Sequence, residues 1–128
     1  MSALRSLDQR RAASAYAYAA AAADLDRARK LPAMLQINGL LATWAFFLSN
    51  EETPLLDALL GHLRSLPELA VPAGGAEVVF LHWVGGPAGA NGGIGGSLLR
   101  ALTAEALAWS VWLKRAAEAR PANGAPHA

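Results

Sequence analysis

Apolar side chains recur every three or four residues along most of the chain, which is the spacing of one face of an α-helix. The first such stretch predicts a helix over residues 3–29, with a stripe of Leu4, Leu7, Arg11, Ser14, Tyr18 and Leu25. Pro32 interrupts the pattern and suits the first turn of a second helix, where its missing N–H group is harmless. We expect this second helix to run to about Leu48 and, being apolar nearly all round, to lie at the centre of the fold. Gly39 in its interior is expected where a neighbouring helix packs close.

The second half of the chain predicts further helices. Thr53 followed by Pro54 predicts a helix start, as an N-cap residue followed by a proline in the first turn. Residues 76–84 form a short apolar run, which we predict as a helix because a lone strand would have no pairing partner. Residues 85–96 are predicted as a flexible glycine-rich loop, and the last helix is expected to begin at Ser97.

Composition supports a helical domain. Of the 128 residues, 54% are hydrophobic and 16% are charged, which excludes a disordered chain. The chain has 30 Ala and 21 Leu against 5 Val and 2 Ile, and this ratio favours helices over strands. We therefore predict an all-α, compact, single-domain bundle of five to six helices over residues 1–120, with a disordered tail at residues 121–128.

One uncharged stretch, Leu31–Asn50, is long enough to be weighed as a membrane span. Polar residues lie in its middle, including Gln36 and Asn38, and these favour a buried helix of a soluble protein. The first residues carry charges of both signs without a leucine-rich core, so we expect no signal peptide. We expect a cytoplasmic protein with no membrane partner.

Charge is small overall but unevenly distributed. The net charge is +1, composed of +3 over residues 1–30, 0 over 31–50, −4 over 51–96 and +2 over 97–128. Basic ends and an acidic middle allow copies of a protein to stack on one another or on a partner, while a basic surface meets an anion. A random distribution over a solvated surface is the alternative.

No set of residues in the sequence indicates an active site. The glycine-rich loop lacks the Lys-Ser or Lys-Thr of a phosphate-binding loop, so a flexible connector is the preferred interpretation. His62 and His82 lie on different elements without carboxylates at ligand spacing, and the absence of cysteine excludes thiolate chemistry. We therefore expect no enzyme activity, no cofactor, no metal and no small-molecule substrate.

Basic residues cluster on the first predicted helix and at its exit: Arg10, Arg11, Arg27, Arg29 and Lys30. On one helix, Arg11 and Arg29 would lie about 27 Å apart on one face, which suits an extended polyanion. Trp44 and Trp109 fall on apolar helix faces and are predicted as core residues. Trp112 lies beside Lys114 and Arg115 and is retained as a candidate contact residue.

Several short motifs resemble one family. These are Leu31-Pro32, Asn38-Gly39-Leu40 and Thr43–Phe46 in the second helix, preceded by Tyr16-Ala17 or Tyr18-Ala19 in the first. The last helix adds Thr103–Leu107 and Trp112–Arg115. In this order they resemble the small helical subunit, the fifth by name, of the type III-B CRISPR–Cas effector, the Cmr complex.

This resemblance implies a non-catalytic subunit that stacks beside the backbone subunits and beside copies of itself, and helps hold guide and target RNA in antiviral defence. Its partners would be other Cmr subunits, CRISPR guide RNA and target RNA. For RNA contact we predict Arg11, Arg27, Arg29, Lys30, Lys114 and Arg115. For subunit contact we predict Glu51, Glu52, Asp57 and Glu68. The alternative functions are a stand-alone helical adaptor without RNA binding and, more remotely, an enzyme that uses the glycine-rich loop for phosphate.

Overall fold

A computed structural model describes residues 6–85 and 93–120 of this chain. Those residues form five α-helices and one short 3₁₀ turn at Pro67–Leu69, and no strand occurs among them. The helices are α1 (Leu7–Ala21), α2 (Asp26–Ser49), α3 (Thr53–Arg64), α4 (Ala76–Val84) and α5 (Gly96–Ala119). The predicted all-α bundle of five to six helices is therefore confirmed. The predicted tail at residues 121–128, and most of the predicted glycine-rich loop, lie outside the described residues.

The long first helix predicted over residues 3–29 is wrong. A capping box at Ser6 and Gln9 starts α1, which ends at Ala21, and the backbone is extended at Ala22. Arg120, which follows α5, donates hydrogen bonds to the backbone oxygens of Ala19 and Ala22 and so satisfies carbonyls at the end of α1. The alanine run alone is compatible with a longer helix, but Arg120 stabilises a helix that ends at Ala21.

The second helix begins earlier than predicted and is divided in two. α2 begins at Asp26, whose backbone N–H donates a hydrogen bond to the carboxylate of Asp24. Pro32 therefore lies about two turns inside α2 rather than in its first turn. Gly39 has φ 82° and ψ 173°, a conformation available almost only to glycine, and it separates two helical segments. A Cβ at Gly39 would meet nothing within 4 Å, so the predicted close helix packing is also wrong. The glycine is needed for the break.

The hydrophobic core lies between α5 and the three helices that cover it. α1 and α2 both pack along α5, and α3 closes the third side. Trp44 and Trp109 are almost completely buried, as predicted. α2 is therefore not the only central helix. α5 buries residues from Leu102 to Ala117, whereas α2 leaves Ile37 81% exposed just before the break. By length and apolar composition, α2 is the one helix in the described part of the chain that could span a membrane, although a third of its most apolar window is buried.

The short helix α4 is attached at both ends. The indole N–H of Trp44 donates to the backbone oxygen of Ala76, and the Trp44 and Trp83 rings meet edge to face at 4.8 Å. At the far end, the backbone N–H of Ile94 donates to the oxygen of Trp83, and a Cβ at Gly93 would lie 2.5 Å from that oxygen. The predicted helix over residues 76–84 is thus confirmed. Thr53 is the first residue of α3 rather than its N-cap, which is Glu52.

Candidate interaction surfaces

The largest polar cluster is inside the bundle, between α1, α3 and α5. Both carboxylate oxygens of Glu105 accept hydrogen bonds from Arg11, each at 2.7 Å, and His62 Nε2 lies 2.8 Å from Glu105 Oε2. The remaining Arg11 nitrogen donates to Asp8 at 2.9 Å. All three side-chain nitrogens of Arg11 therefore have partners within the chain, and the guanidinium links α1 to α5.

Hydrogen bonds from its neighbours keep Glu105 ionised despite its burial. Burial alone raises the pKa of Glu105, but hydrogen bonds from Arg11 and His62 outweigh that effect and leave its pKa below the ordinary value. The hydrogen bond to Glu105 raises the pKa of Arg11 further above its already high value. Since Glu105 is a carboxylate acceptor, His62 must donate from Nε2. The cluster is closed on itself, and no buried side-chain N or O atom in the described residues lacks a hydrogen-bond partner.

Arg27 and Glu52, predicted for RNA and for subunit contact respectively, pair with each other. Arg27 Nε donates to the two carboxylate oxygens of Glu52 at 2.9 and 3.1 Å, and its guanidinium carbon lies 4.9 Å from the centre of the Phe46 ring. The pair borders an open pocket of about 520 Å³ between the α1–α2 connection and the start of α3. Tyr18 lines the same pocket, where burial, with smaller contributions from Asp24 and Glu52, raises its pKa.

Arg29 and Lys30 lie on the outside of the first turns of α2. Arg29 Nη2 is 3.4 Å from the backbone oxygen of Ala117, near the end of α5, where positive charge is favoured by the helix dipole. Lys30 pairs with Asp26 one turn earlier at 3.2 Å, and both side chains are more than half exposed. Neither residue caps α1, because that helix ends at Ala21, before them.

Lys114 and Arg115 are exposed on the last two turns of α5. The Arg115 guanidinium carbon lies 5.4 Å from the centre of the Trp112 ring, and Trp112 is partly exposed. Neither basic side chain forms an ion pair with any described residue. Lys114 lies three residues before Ala117, whose backbone oxygen Arg29 contacts. We call Arg29, Lys30, Lys114 and Arg115 the basic surface.

The predicted acidic residues are divided between two sides of α3. Glu51 and Asp57 line an open groove between α3 and α4, of about 740 Å³, whereas Glu52 lines the pocket beside Arg27. Glu68 lies apart from both, exposed on the 3₁₀ turn. The adjacent Glu51 and Glu52 diverge because Glu51 takes a left-handed conformation, with φ 56°. The four residues therefore do not form a single surface.

Sequence reasoning missed two carboxylate side chains that the structure places in these clusters. Glu77 at the start of α4 lines the groove with Glu51 and Asp57. Glu105 was noted only as part of a family motif, although it lies in the apolar stripe of α5, three residues after Leu102 and four before Trp109. A carboxylate on a buried helix face requires a cationic partner, and that signal could have identified Glu105. Within residues 6–85 and 93–120, no three His, Asp or Glu side chains are grouped as a metal site would require.

A helical bundle with a closed polar core and separate basic and acidic surfaces is typical of proteins that act by contact with other macromolecules. The family model described as CRISPR-associated protein (Cas_Cmr5) matches residues 7–69, from the first residue of α1 to the end of the 3₁₀ turn. This match spans 63 of the 128 residues and supports a subunit of the type III-B Cmr complex in CRISPR defence. The sequence resemblance is thereby confirmed. Comparisons with curated proteins and with solved structures gave no match.

Proposed function

We propose that this subunit is non-catalytic, is stacked beside the backbone subunits and copies of itself, and helps hold guide and target RNA through the basic surface. The observation that carries the proposal is the exposure of Lys114 and Arg115, which have no ion-pair partner among the described residues. Phosphate contacts of this kind supply affinity without reading sequence, as a guide-loaded complex requires.

Arg11 and Arg27 have a different role in this proposal. Arg11 is the buried link between α1 and α5, and Arg27 is held by Glu52 and Phe46. Moving either guanidinium to a phosphate would separate it from a carboxylate, which offsets most of the gain. Both were predicted as RNA contacts, and we assign them to positioning the helices that carry the basic surface.

Trp112, which is partly exposed, adds an aromatic ring to the basic surface. Its ring supports the Arg115 guanidinium, and its indole N–H points to Asp8 at 3.4 Å. A guanidinium stacked on an aromatic face is restrained while its N–H groups stay available, which favours phosphate binding at low entropic cost. Arg115 is therefore the most important single contact in the proposed RNA surface.

The non-catalytic role is supported by the polar core. The most reactive arrangement among the described residues, His62 with Glu105, is buried and its carboxylate accepts three hydrogen bonds. A general base must reach a substrate proton, and the side chains of His62 and Glu105 are only 2% and 9% exposed. We further propose that the subunit acts in the cytoplasm, where guide and target RNA would meet it.

The test is RNA affinity of the reconstituted complex carrying R29A/K30A/K114A/R115A. We expect weaker binding of every target sequence alike, with a log–log salt slope that flattens by roughly 0.7 for each phosphate interaction that the substitutions remove. The matched control compares K114A with R100A, because Arg100 is also exposed on α5 and lies about 21 Å away along the helix. Only K114A should weaken RNA binding.

Two outcomes would contradict the proposal. If the quadruple variant enters the complex and keeps the wild-type affinity and salt slope, the basic surface does not contact RNA. If the chain binds only proteins outside the Cmr complex, and that complex binds RNA equally well without it, the stand-alone adaptor would replace the proposed role.

A further inference from the structure

The groove between α3 and α4 combines negative charge with apolar surface. Its lining includes three carboxylates, Glu51, Asp57 and Glu77, beside Leu48, Ala76 and Val78. None of the three carboxylates forms an ion pair within residues 6–85 and 93–120, in contrast to Glu52, which is held by Arg27. The groove therefore carries about three uncompensated negative charges at neutral pH.

An exposed apolar stripe continues from the groove along α4. Val78, Leu81 and Val84 repeat every three residues on the outer side of this helix and are 55%, 42% and 41% exposed. The inner side of α4 is already used, because Ala76, Val79 and Trp83 are buried against the rest of the bundle. Helix propensity does not explain two valines on the outer side, since β-branched residues are poor helix formers. Large apolar side chains exposed in a row indicate a contact surface.

We infer that this surface binds a segment of a different protein subunit that carries aliphatic side chains next to lysine or arginine. The inference rests on the proposed function, in which the chain is assembled with other subunits. Aliphatic side chains of the partner would cover Val78, Leu81 and Val84, while its cations would pair with Glu51, Asp57 and Glu77. Charge complementarity of this kind selects the partner and accelerates its association.

Other occupants fit the surface less well. A nucleic acid is disfavoured because three carboxylates without counter-ions repel phosphates. A second copy fits less well, because its basic surface is assigned to RNA in the proposed function. Of the exposed cations outside that surface, Arg64 already donates to the backbone oxygens of Pro72 and Gly74, and Arg100 is a single charge against three carboxylates. A different subunit is the occupant that satisfies both the groove and the basic surface at once.

The experiment titrates fluorescently labelled full-length chain into a Cmr complex reconstituted without this subunit. We expect D57N/E77Q to raise Kd at least tenfold at 0.15 M salt and to reduce the dependence of Kd on salt. V78S/L81S should also raise Kd at least tenfold, with little change in the dependence on salt. Circular dichroism confirms that each variant is folded.

Matched controls lie elsewhere on the molecule. E118Q removes one negative charge from another exposed glutamate and is compared with E77Q, and V111S is compared with V78S because both valines are exposed on helices. These controls should leave Kd within about twofold of the wild-type value, as expected for exposed residues outside an interface.

The outcomes separate this inference from the proposed function. If wild-type chain does not bind the complex, the proposed function fails and the inference fails with it. If wild-type chain binds and the groove and stripe variants bind equally well, only the inference is overturned. It is also overturned if the variants abolish self-association in sedimentation experiments, or RNA binding by the saturated complex, while leaving subunit binding intact.

Discussion

The buried link between Arg11 and Glu105 makes a strong prediction for stability. E105Q keeps the shape of the side chain but removes its charge, so the Arg11 guanidinium loses a carboxylate at 2.7 Å. His62 Nε2 keeps an amide oxygen as acceptor only if the amide is oriented towards it, and Arg11 then faces the NH₂ group. The substitution therefore leaves a largely buried cation or a largely buried donor without its partner.

The expected loss in the free energy of unfolding follows from how deeply the Arg11–Glu105 pair is buried. The side chains of Arg11 and Glu105 are 19% and 9% exposed, and breaking a buried ion pair on one side costs roughly 3–5 kcal/mol. Asp8 remains as a partner of Arg11, so we expect the lower end, about 3 kcal/mol. A chain of this length has an unfolding entropy of roughly 0.27 kcal/mol per kelvin, which places the fall in Tm at about 11 °C.

Thermal unfolding followed by circular dichroism, together with urea titration, measures both values. The control is K30Q, which removes the exposed Lys30–Asp26 pair and should cost about 0.3–0.5 kcal/mol. Added salt should reduce the small effect of K30Q and leave the large effect of E105Q almost unchanged. A loss below about 1 kcal/mol for E105Q would refute the account of the polar core.

Three further predictions concern stability and assembly. The pKa of Glu105 is lower in the folded than in the unfolded chain, so its ionised form stabilises the fold above the ordinary glutamate range, and this stabilisation is lost as pH falls through the folded pKa. In urea titrations at acid pH, the free energy of unfolding of E105Q should therefore fall less than that of the wild-type chain. G39A should cost about 1–3 kcal/mol because of its φ of 82°, whereas G61A, in an open position of α3, should stabilise by about 0.5–1 kcal/mol; equal effects of the two in thermal unfolding would contradict this explanation of the α2 break. Charge reversal of Glu51 and Asp57 should weaken assembly measured by co-purification and leave the isolated chain folded, whereas reversal of Glu52 should also lower Tm because it faces Arg27.

Much of the helical fold could be predicted from the sequence, because regular apolar spacing and turn residues act locally. The third helix, the short α4 and the last helix were expected within a few residues of their observed bounds. The first two helices were not, since the end of α1 depends on Arg120, about a hundred residues later in the chain. No local pattern in an alanine run carries that information.

The candidate surfaces were predictable only in part. The sequence shows which residues are charged, but which of them form ion pairs with one another depends on the fold. Arg27 was predicted for RNA contact and Glu52 for subunit contact, yet Arg27 Nε lies 2.9 Å from Glu52 Oε1. The neighbours Glu51 and Glu52 line different cavities. Separation along the chain did not indicate which charges remain available to a partner.

The central claim is that this chain is an RNA-contacting subunit of a Cmr complex, and co-purification from the native host tests it most directly. A tagged copy should recover the other Cmr subunits, identified by mass spectrometry, together with small guide RNA. The tagged R29A/K30A/K114A/R115A variant should recover the same subunits, and that complex should bind target RNA more weakly. Recovery of the chain alone, without subunits or RNA, would contradict the account.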